Sequence, residues 1–258
     1  MNNFIIIFSF LFIIFLIYYE LLYNSIHALF DFVGIPNKYR KINTLYLCKV
    51  KNHKYFVNPL DTIVSYPLKC GNYWESWMHN YFKKYSDKNK ICLDIGANIG
   101  THSIILSNYF LKVYSFEPQI DNYNILLKNI KINNCKNIIS FNKGLSNKEA
   151  NLKMKCFDKN KKNNIGAIGI SKDIDKGCES IKTITLDSLN INNINFIKID
   201  IEGHEYQAFL GGLKTLKKNK PTIIFEEHNY NSNIFKLLNS LNYNIRKISI
   251  SNDYIATN

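Results

Sequence analysis

At 258 residues and 46% apolar side chains, the chain suits one domain with a real core plus an appendage. A formal charge of +13 invites a polyanionic partner, yet only two of the 33 basic residues are arginine and asparagine is about as abundant as both together, so the surplus reads as solvated lysine surface, not a nucleic-acid interface. Cys48, Cys70, Cys92, Cys135, Cys156 and Cys178 stand about 20 to 40 residues apart with no CxxC pair, which argues against a zinc knuckle or a small disulfide scaffold and for free buried thiols in a reducing compartment.

The first predicted element is MNNFIIIFSFLFIIFLIYYELLY, which has no charged side chain before Glu20. From Phe4 to Tyr23 it counts about 20 residues, or about 30 Å as a helix, enough to span a bilayer. No basic region precedes it and no small-x-small cleavage site follows, so residues 1–23 read as an uncleaved membrane anchor with Tyr18 and Tyr19 near one interface. Lys38, Arg40 and Lys41 follow the span and no Lys or Arg precedes it, which places the catalytic body on the cytoplasmic side. The lack of any N-x-S/T sequon in so asparagine-rich a chain agrees. Residues 24–43 read as a linker, and residues 44–258 as the domain.

Within that domain residues 44–69 alternate in the manner of strands (TLYLCKV, KYFVNP, DTIVSYPL), with turns at KNHK and NPLD. Residues 71–85 predict an amphipathic helix with Trp74, Trp77, Met78 and Tyr81 on its apolar side. A strand at 91–95, a helix near 99–109, a strand ending at Glu117, a helix over DNYNILLKNIKINN and a strand to 142 follow. Residues 147–182 are polar and lysine-rich, and their IGAIGIS segment reads as a strand or a substrate loop. Beyond them come TITLDSL, the apolar run NINFIKID, a helix over EYQAFLGGLKTLKKN, the strand PTIIFEEH, a helix over NSNIFKLLNSLN and a terminal hairpin. Strands alternating with helices predict an α/β fold: a mostly parallel Rossmann-like sheet with a C-terminal antiparallel hairpin and helices on both faces. Ligands of such sheets bind outside the carboxyl ends of the strands.

The strand at 91–95 opens into DIGANIG, with glycines at 96 and 100. A dinucleotide fingerprint needs a glycine where Asn98 stands, and a phosphate loop needs Lys-Ser/Thr where Thr101-His102 follows. The acid at the strand end repels pyrophosphate and suits an ammonium group. Glu117 lies 21 positions after Gly96, placed for its carboxylate to accept both hydroxyls of a ribose, and Asp200 ends a later strand. These features together favour S-adenosylmethionine.

DIGANIG, SFEP, TLDSL and above all KIDIEGHEYQAFLGG resemble the FkbM-type S-adenosylmethionine-dependent methyltransferases, a branch of the Rossmann-like methyltransferase fold. The likeness covers residues 44–258, and GNYWE is similar to that family's glycine–aromatic–glutamate segment. The resemblance implies O-methylation of a hydroxyl on a sugar, glycan or other small polyhydroxy acceptor. It also implies that Asp94, Gly96, Ala97, Asn98 and Gly100 cradle the methionine part of the cofactor and that Glu117 holds the ribose. Asn142 with Lys143 would border the adenine, and Asp200, Glu202 and His204 would face the methyl group and the acceptor.

A sulfonium is already a good leaving group, so the protein must align the acceptor in line, which can supply up to about 7–11 kcal/mol. A base beside the acceptor adds about 10²–10⁴-fold, and His204 and Asp200 are the candidates. A magnesium ion held by Asp200 and Glu226 or Glu227 would lack the Asp-Asn pair that completes such a set, so no metal ligand is assigned. A nucleic-acid methyltransferase is disfavoured: its D/N-P-P-Y/F segment is DIEG here, with no ring to stack on a flipped base, and the Lys-Asp-Lys-Glu set of ribose methylation is not evident. An inactive membrane-tethered binding module of the same fold is disfavoured by the intact Asp94, Glu117 and Asp200. Trp74 and Trp77 read as core, His53, His79 and His102 as surface or capping residues, Asp187 as the cap of the short helix after it, and Lys159, Lys161 and Lys162 as a solvated loop.

Overall fold

The computed structural model describes residues 45–156, 164–171, 177–228, 232–248 and 252–258. The expected anchor at 1–23, the linker at 24–43 and the Lys159–Lys162 run lie outside the described residues. Among the described residues no helix is long and apolar enough to cross a membrane.

Among the described residues three sheets organise the domain. β1 (Tyr46–Val50) and β2 (His53–Val57) form an antiparallel hairpin. The central sheet uses β3 (Asp87–Ile95), β4 (Phe110–Phe116), β5 (Ile138–Phe141), β9 (Ile194–Ile199), β10 (Thr222–Glu226), β11 (Asn244–Lys247) and β12 (Asp253–Thr257). β6 (Gly144–Leu145), β7 (Ala150–Lys155) and β8 (Gly177–Ile184) make the third sheet, in the order β6-β8-β7. In the central sheet the order is β11-β12-β10-β9-β3-β4-β5. Every neighbouring pair from β10 to β5 is parallel, and β12 runs antiparallel to both β10 and β11. The expected mostly parallel sheet with an antiparallel C-terminal hairpin is therefore present.

The apolar runs at β3, β9 and β10 are long because both of their faces are covered. Leu93, Ile95, Ile197, Ile199, Ile223 and Phe225 bury on one face against Ala208 and Phe209 of α5 (Glu205–Leu210) and Ile234 and Leu238 of α7 (Asn233–Ser240). Cys92, Phe196 and Ile224 bury on the other, against Met78 and Phe82 of α2 (Met78–Lys84) and Ile105 and Leu106 of α3 (Thr101–Ser107). Each such side chain contributes about 1.5–3 kcal/mol when fully buried. The remaining helices are α1 (Ser65–Lys69), α4 (Ile120–Ile132) and α6 (Leu213–Asn219).

Several local expectations yield to side chains that act at a distance. DTIVSYPL reads as a strand, yet the buried Asp61 carboxylate accepts the N–H of Ser65 at 2.6 Å and turns the chain into α1 instead. The helix expected over 71–85 starts only at Met78, because Glu75 takes a left-handed backbone with φ of 43°. The helix expected over 205–219 is broken at Gly211, where a Cβ would stand 1.9 Å from the Ser146 carbonyl oxygen, so the chain kinks to pass that backbone. Asp187 does not cap the short 3-10 turn it begins. Its carboxylate accepts the N–H groups of Lys214 and Thr215 at 3.1 and 2.8 Å and so caps α6.

The cysteines also depart from expectation. Cys156 and Cys178 form a disulfide across the bases of β7 and β8, and of the other four only Cys92 is fully buried. The antiparallel pairing of Lys155 with Gly177 brings the two sulfurs together, a contact that a spacing of 22 residues does not announce. Closing a loop of that length is worth about 3 kcal/mol by chain entropy. Reduction of the pair, or its replacement by Cys156→Ser with Cys178→Ser, is expected to lower the melting temperature by roughly 10 °C. Scanning calorimetry with and without reductant measures this, and the double variant should no longer respond to reductant.

Candidate active site

The site grows from the ends of four parallel strands. β3 ends in Ile95, and the turn from Gly96 to Gly100 leads directly into α3. Gly96 takes φ of 83°, and a Cβ on it would lie 1.9 Å from the Asp200 carbonyl oxygen, so the turn is pressed against the end of β9. Asn98, at φ of 50°, donates its N–H to Glu117 Oε2 at 2.8 Å, and Gln119 N–H donates to Oε1 at 2.8 Å. Glu117 is 6% exposed. Burial pushes it up to about 7 and outweighs the two amides and Lys198, which favour the charged form. Each oxygen keeps a lone pair free for a further donor.

Beneath the turn, Asp94 is fully buried. Its Oδ2 accepts from the Ser103 hydroxyl, and Oδ1 has no partner among the described residues. Beside it Lys198, 3% exposed on β9, donates from Nζ to Asp200 Oδ2 at 3.2 Å and to the Gly96 carbonyl at 3.4 Å. Burial alone would lower the lysine, but Asp200, Asp94 and Glu75 outweigh it and hold the ammonium protonated. Asp200 is therefore half of a salt bridge with Lys198.

Toward the mouth, partial burial and the Asp200, Glu226 and Glu205 carboxylates push Glu202 up to about 7. His204 Nε2 lies 2.9 Å from the Ser146 hydroxyl, and burial lowers the ring, which keeps it neutral near pH 7. Glu226, at the end of β10, is raised by burial and then by Asp200. Among the described residues no three His, Cys, Asp or Glu side chains are placed to hold a metal ion.

These groups surround a cleft of about 1020 Å³, counting its open mouth. Gly96, Ala97, Asn98, Glu117, Asp200, Glu202 and His204 all line it. Of the other residues singled out in the sequence, Asp94 lies below the floor and Gly100 packs against Leu126. Asn142 and Lys143 are not in the wall. The Asn142 amide donates to the Glu117 and Pro118 carbonyls, each at 2.9 Å, so it shapes the strand end from behind, and the wall there is made by Gly144 and Leu145. The IGAIGIS segment is a wall of the cleft: Gly169 accepts from Lys155 N–H at 3.0 Å, while Ile165 and Ile168 bury against Met154 and Ile181. Trp74 packs in the core beside β1 and β2 and also reaches the cleft.

Three more side chains belong to the surroundings of the cleft. Lys198 carries one signal, a lysine inside an otherwise apolar strand. Glu75 ends the GNYWE segment, and His102, expected at the surface or as a cap, is instead buried, lines the cleft and pairs with Glu75 across a spacing that announces nothing. The assembled site is rich in carboxylates around one engaged lysine, a field that attracts a cationic ligand and repels a phosphate. The free lone pairs of Glu117 and the close-packed Gly96 fit the ribose and methionine chain of S-adenosylmethionine, and the acid-rich wall fits its ammonium.

Comparison with known proteins gives one curated relative, the hexuronic acid methyltransferase AglP of Haloferax volcanii, 29% identical over 147 residues. That match covers 55% of this chain and 58% of the length of the relative. Among solved structures, a methyltransferase FkbM from Methylobacillus flagellatus is 16% identical with a TM-score of 0.47, covering 75% of this chain and 52% of that one. An rRNA methylase from Streptococcus thermophilus is 10% identical with a TM-score of 0.43, covering 70% and 92%. The family model described as the methyltransferase FkbM domain matches residues 94–248, more than half of the chain and the whole span from Asp94 past His204. The chain belongs to the FkbM methyltransferase family.

Proposed function

We propose that this methyltransferase binds S-adenosylmethionine in the cleft and moves its methyl group to a hydroxyl of a sugar, glycan or similar polyhydroxy acceptor. The observation that carries the reading is Glu117: a buried carboxylate at the end of β4, facing the cleft, with both oxygens open to a vicinal diol. When bound, the cofactor supplies an electrophilic methyl on a positively charged sulfur. Asp94 and the Gly96–Gly100 turn hold its amino-acid chain, and Glu117 fixes the ribose. On the acceptor side His204, held neutral, is positioned to take the hydroxyl proton, and Glu202, poised near neutrality, offers a second acceptor of hydrogen bonds. The IGAIGIS wall excludes water from one flank. The hexuronic acid methyltransferase relative supports a sugar as acceptor. The apolar run at 4–23 supports a membrane anchor.

The test is calorimetric titration of the full-length protein with S-adenosylmethionine, followed by transfer of a labelled methyl group to a panel of neutral and acidic saccharides. Micromolar binding that Asp94→Ala and Glu117→Ala both abolish, with label on a saccharide, is the expected result. A folded protein that takes up no cofactor would sink the reading.

A further inference from the structure

The cleft wall holds a buried histidine, backed by a half-buried glutamate, that neither the cofactor's ribose nor the acceptor uses. His102 is the second residue of α3 and is 4% exposed. Its Nε2 lies 3.0 Å from Glu75 Oε2, and Phe82 packs edge-on against the ring with centroids 5.5 Å apart. The orientation is therefore fixed from two sides. The other nitrogen, Nδ1, is buried and has no hydrogen-bond partner among the described residues. An orphaned buried polar atom costs about 1–3 kcal/mol, and this one belongs to a residue that lines the cleft. Glu75 reaches His102 from a left-handed backbone position that a non-glycine residue adopts only under constraint, φ 43°.

The chemistry of the site says which ligand atom belongs there. The amino-acid tail of the cofactor is a zwitterion. Its ammonium suits a wall dominated by acids, and its carboxylate does not. Lys198 is already held by Asp200 and the Gly96 carbonyl, and the His204 Nε2 is held by Ser146. Of the lining side chains that can carry a positive charge, Lys198, His204 and His102, the last is the one that is buried with a nitrogen left open. With Nε2–H donated to Glu75, an incoming carboxylate selects the ring that also carries a proton on Nδ1. Glu75 then balances the charge, and the line Glu75–His102–carboxylate is a chain of charge-assisted hydrogen bonds.

We propose that Glu75 and His102 form the anchor for the α-carboxylate of the cofactor, His102 as the contact and Glu75 as the residue that positions it. This rests on S-adenosylmethionine being the ligand of the cleft. The experiment titrates the full-length protein with S-adenosylmethionine and with its decarboxylated analogue, which keeps the sulfonium and adenosine. Wild type should bind the analogue about 10- to 100-fold more weakly, the loss expected for one hydrogen bond between charged groups. His102→Ala should weaken S-adenosylmethionine by a similar factor and leave the affinity for the analogue unchanged, and Glu75→Gln should fall between the two proteins. Equal weakening of both ligands would assign the pair a purely structural role and overturn the anchor. Unchanged binding with slower methyl transfer would make His102 a base and overturn it as well. Wild type that binds S-adenosylmethionine without preferring it over the analogue overturns this inference alone, whereas wild type that binds neither overturns the cofactor reading with it.

Discussion

Gly96→Ala is expected to eliminate cofactor binding and to destabilise the protein by about 2–5 kcal/mol. The added methyl group would stand 1.9 Å from the Asp200 carbonyl oxygen and 3.0 Å from Ile201 Cγ2. The nearer of these atoms is backbone, so no rotamer change relieves the overlap. A φ of 83° adds the strain of the left-handed region. The turn must then lift from the end of β9, and the two groups it aligns, the Asn98 amide on Glu117 and the Gly96 carbonyl on Lys198, separate together. Denaturant unfolding and calorimetric titration measure the two effects. A variant that unfolds at the wild-type midpoint and still binds S-adenosylmethionine would show that the turn does not seat against β9 in this way.

Glu117→Gln should weaken S-adenosylmethionine by about 100-fold or more, because two hydroxyl donors lose a charged acceptor worth about 1.5–3 kcal/mol each. Its second signature lies in pH. In the folded protein without ligand the carboxyl is raised to about 7 by burial, above its unfolded range near 4.5. The native state therefore holds this proton more tightly than the unfolded chain. Wild type loses stability as pH rises from about 4.5 to 7, and a shift of that size corresponds to about 3 kcal/mol for this group. The glutamine variant has no such proton, so the stability difference between the two proteins should move in the variant's favour by about that amount between pH 4 and 8. Ribose hydroxyls favour the ionised form, so binding near pH 6.5 should release a proton. Titrations in buffers of different ionisation enthalpy detect it. Equal affinity at pH 5.5 and 8, with no proton released, would remove Glu117 from the ribose site.

What was legible in the sequence is what neighbours in the chain decide. The run ICLDI followed by glycines at 96 and 100, the acid at 117 and the acid at 200 mark strand ends through local periodicity and turn chemistry, and the structure brings those ends to one cleft. What was not legible depends on partners far along the chain. Asp187 caps a helix that starts at Leu213, Asn142 braces a strand end from behind, and Glu75 meets His102 across 27 positions. The same holds for the disulfide, since two cysteines 22 residues apart become neighbours only once β7 and β8 pair. Lys198 is intermediate. A lysine amid isoleucines stands out, but that it neutralises the cleft's carboxylates and does not face solvent follows only from β9 lying between β3 and β10.

That sheet order has a bearing on how the protein is made. Every residue proposed for the site, from Glu75 to His204, has left the ribosome well before Asp253, at about 5–20 residues per second. β10 is then still open along one side, with Ile223, Ile224 and Phe225 awaiting Ala256, Ile255 and Tyr254. β11 pairs only through β12, so it cannot shield that side in the meantime. An apolar strand with unpaired amides is a template for another chain. Synthesis therefore passes through an association-prone moment after every residue proposed for the site is made and before β12 arrives, and a chain halted there would carry those residues beside a sticky edge.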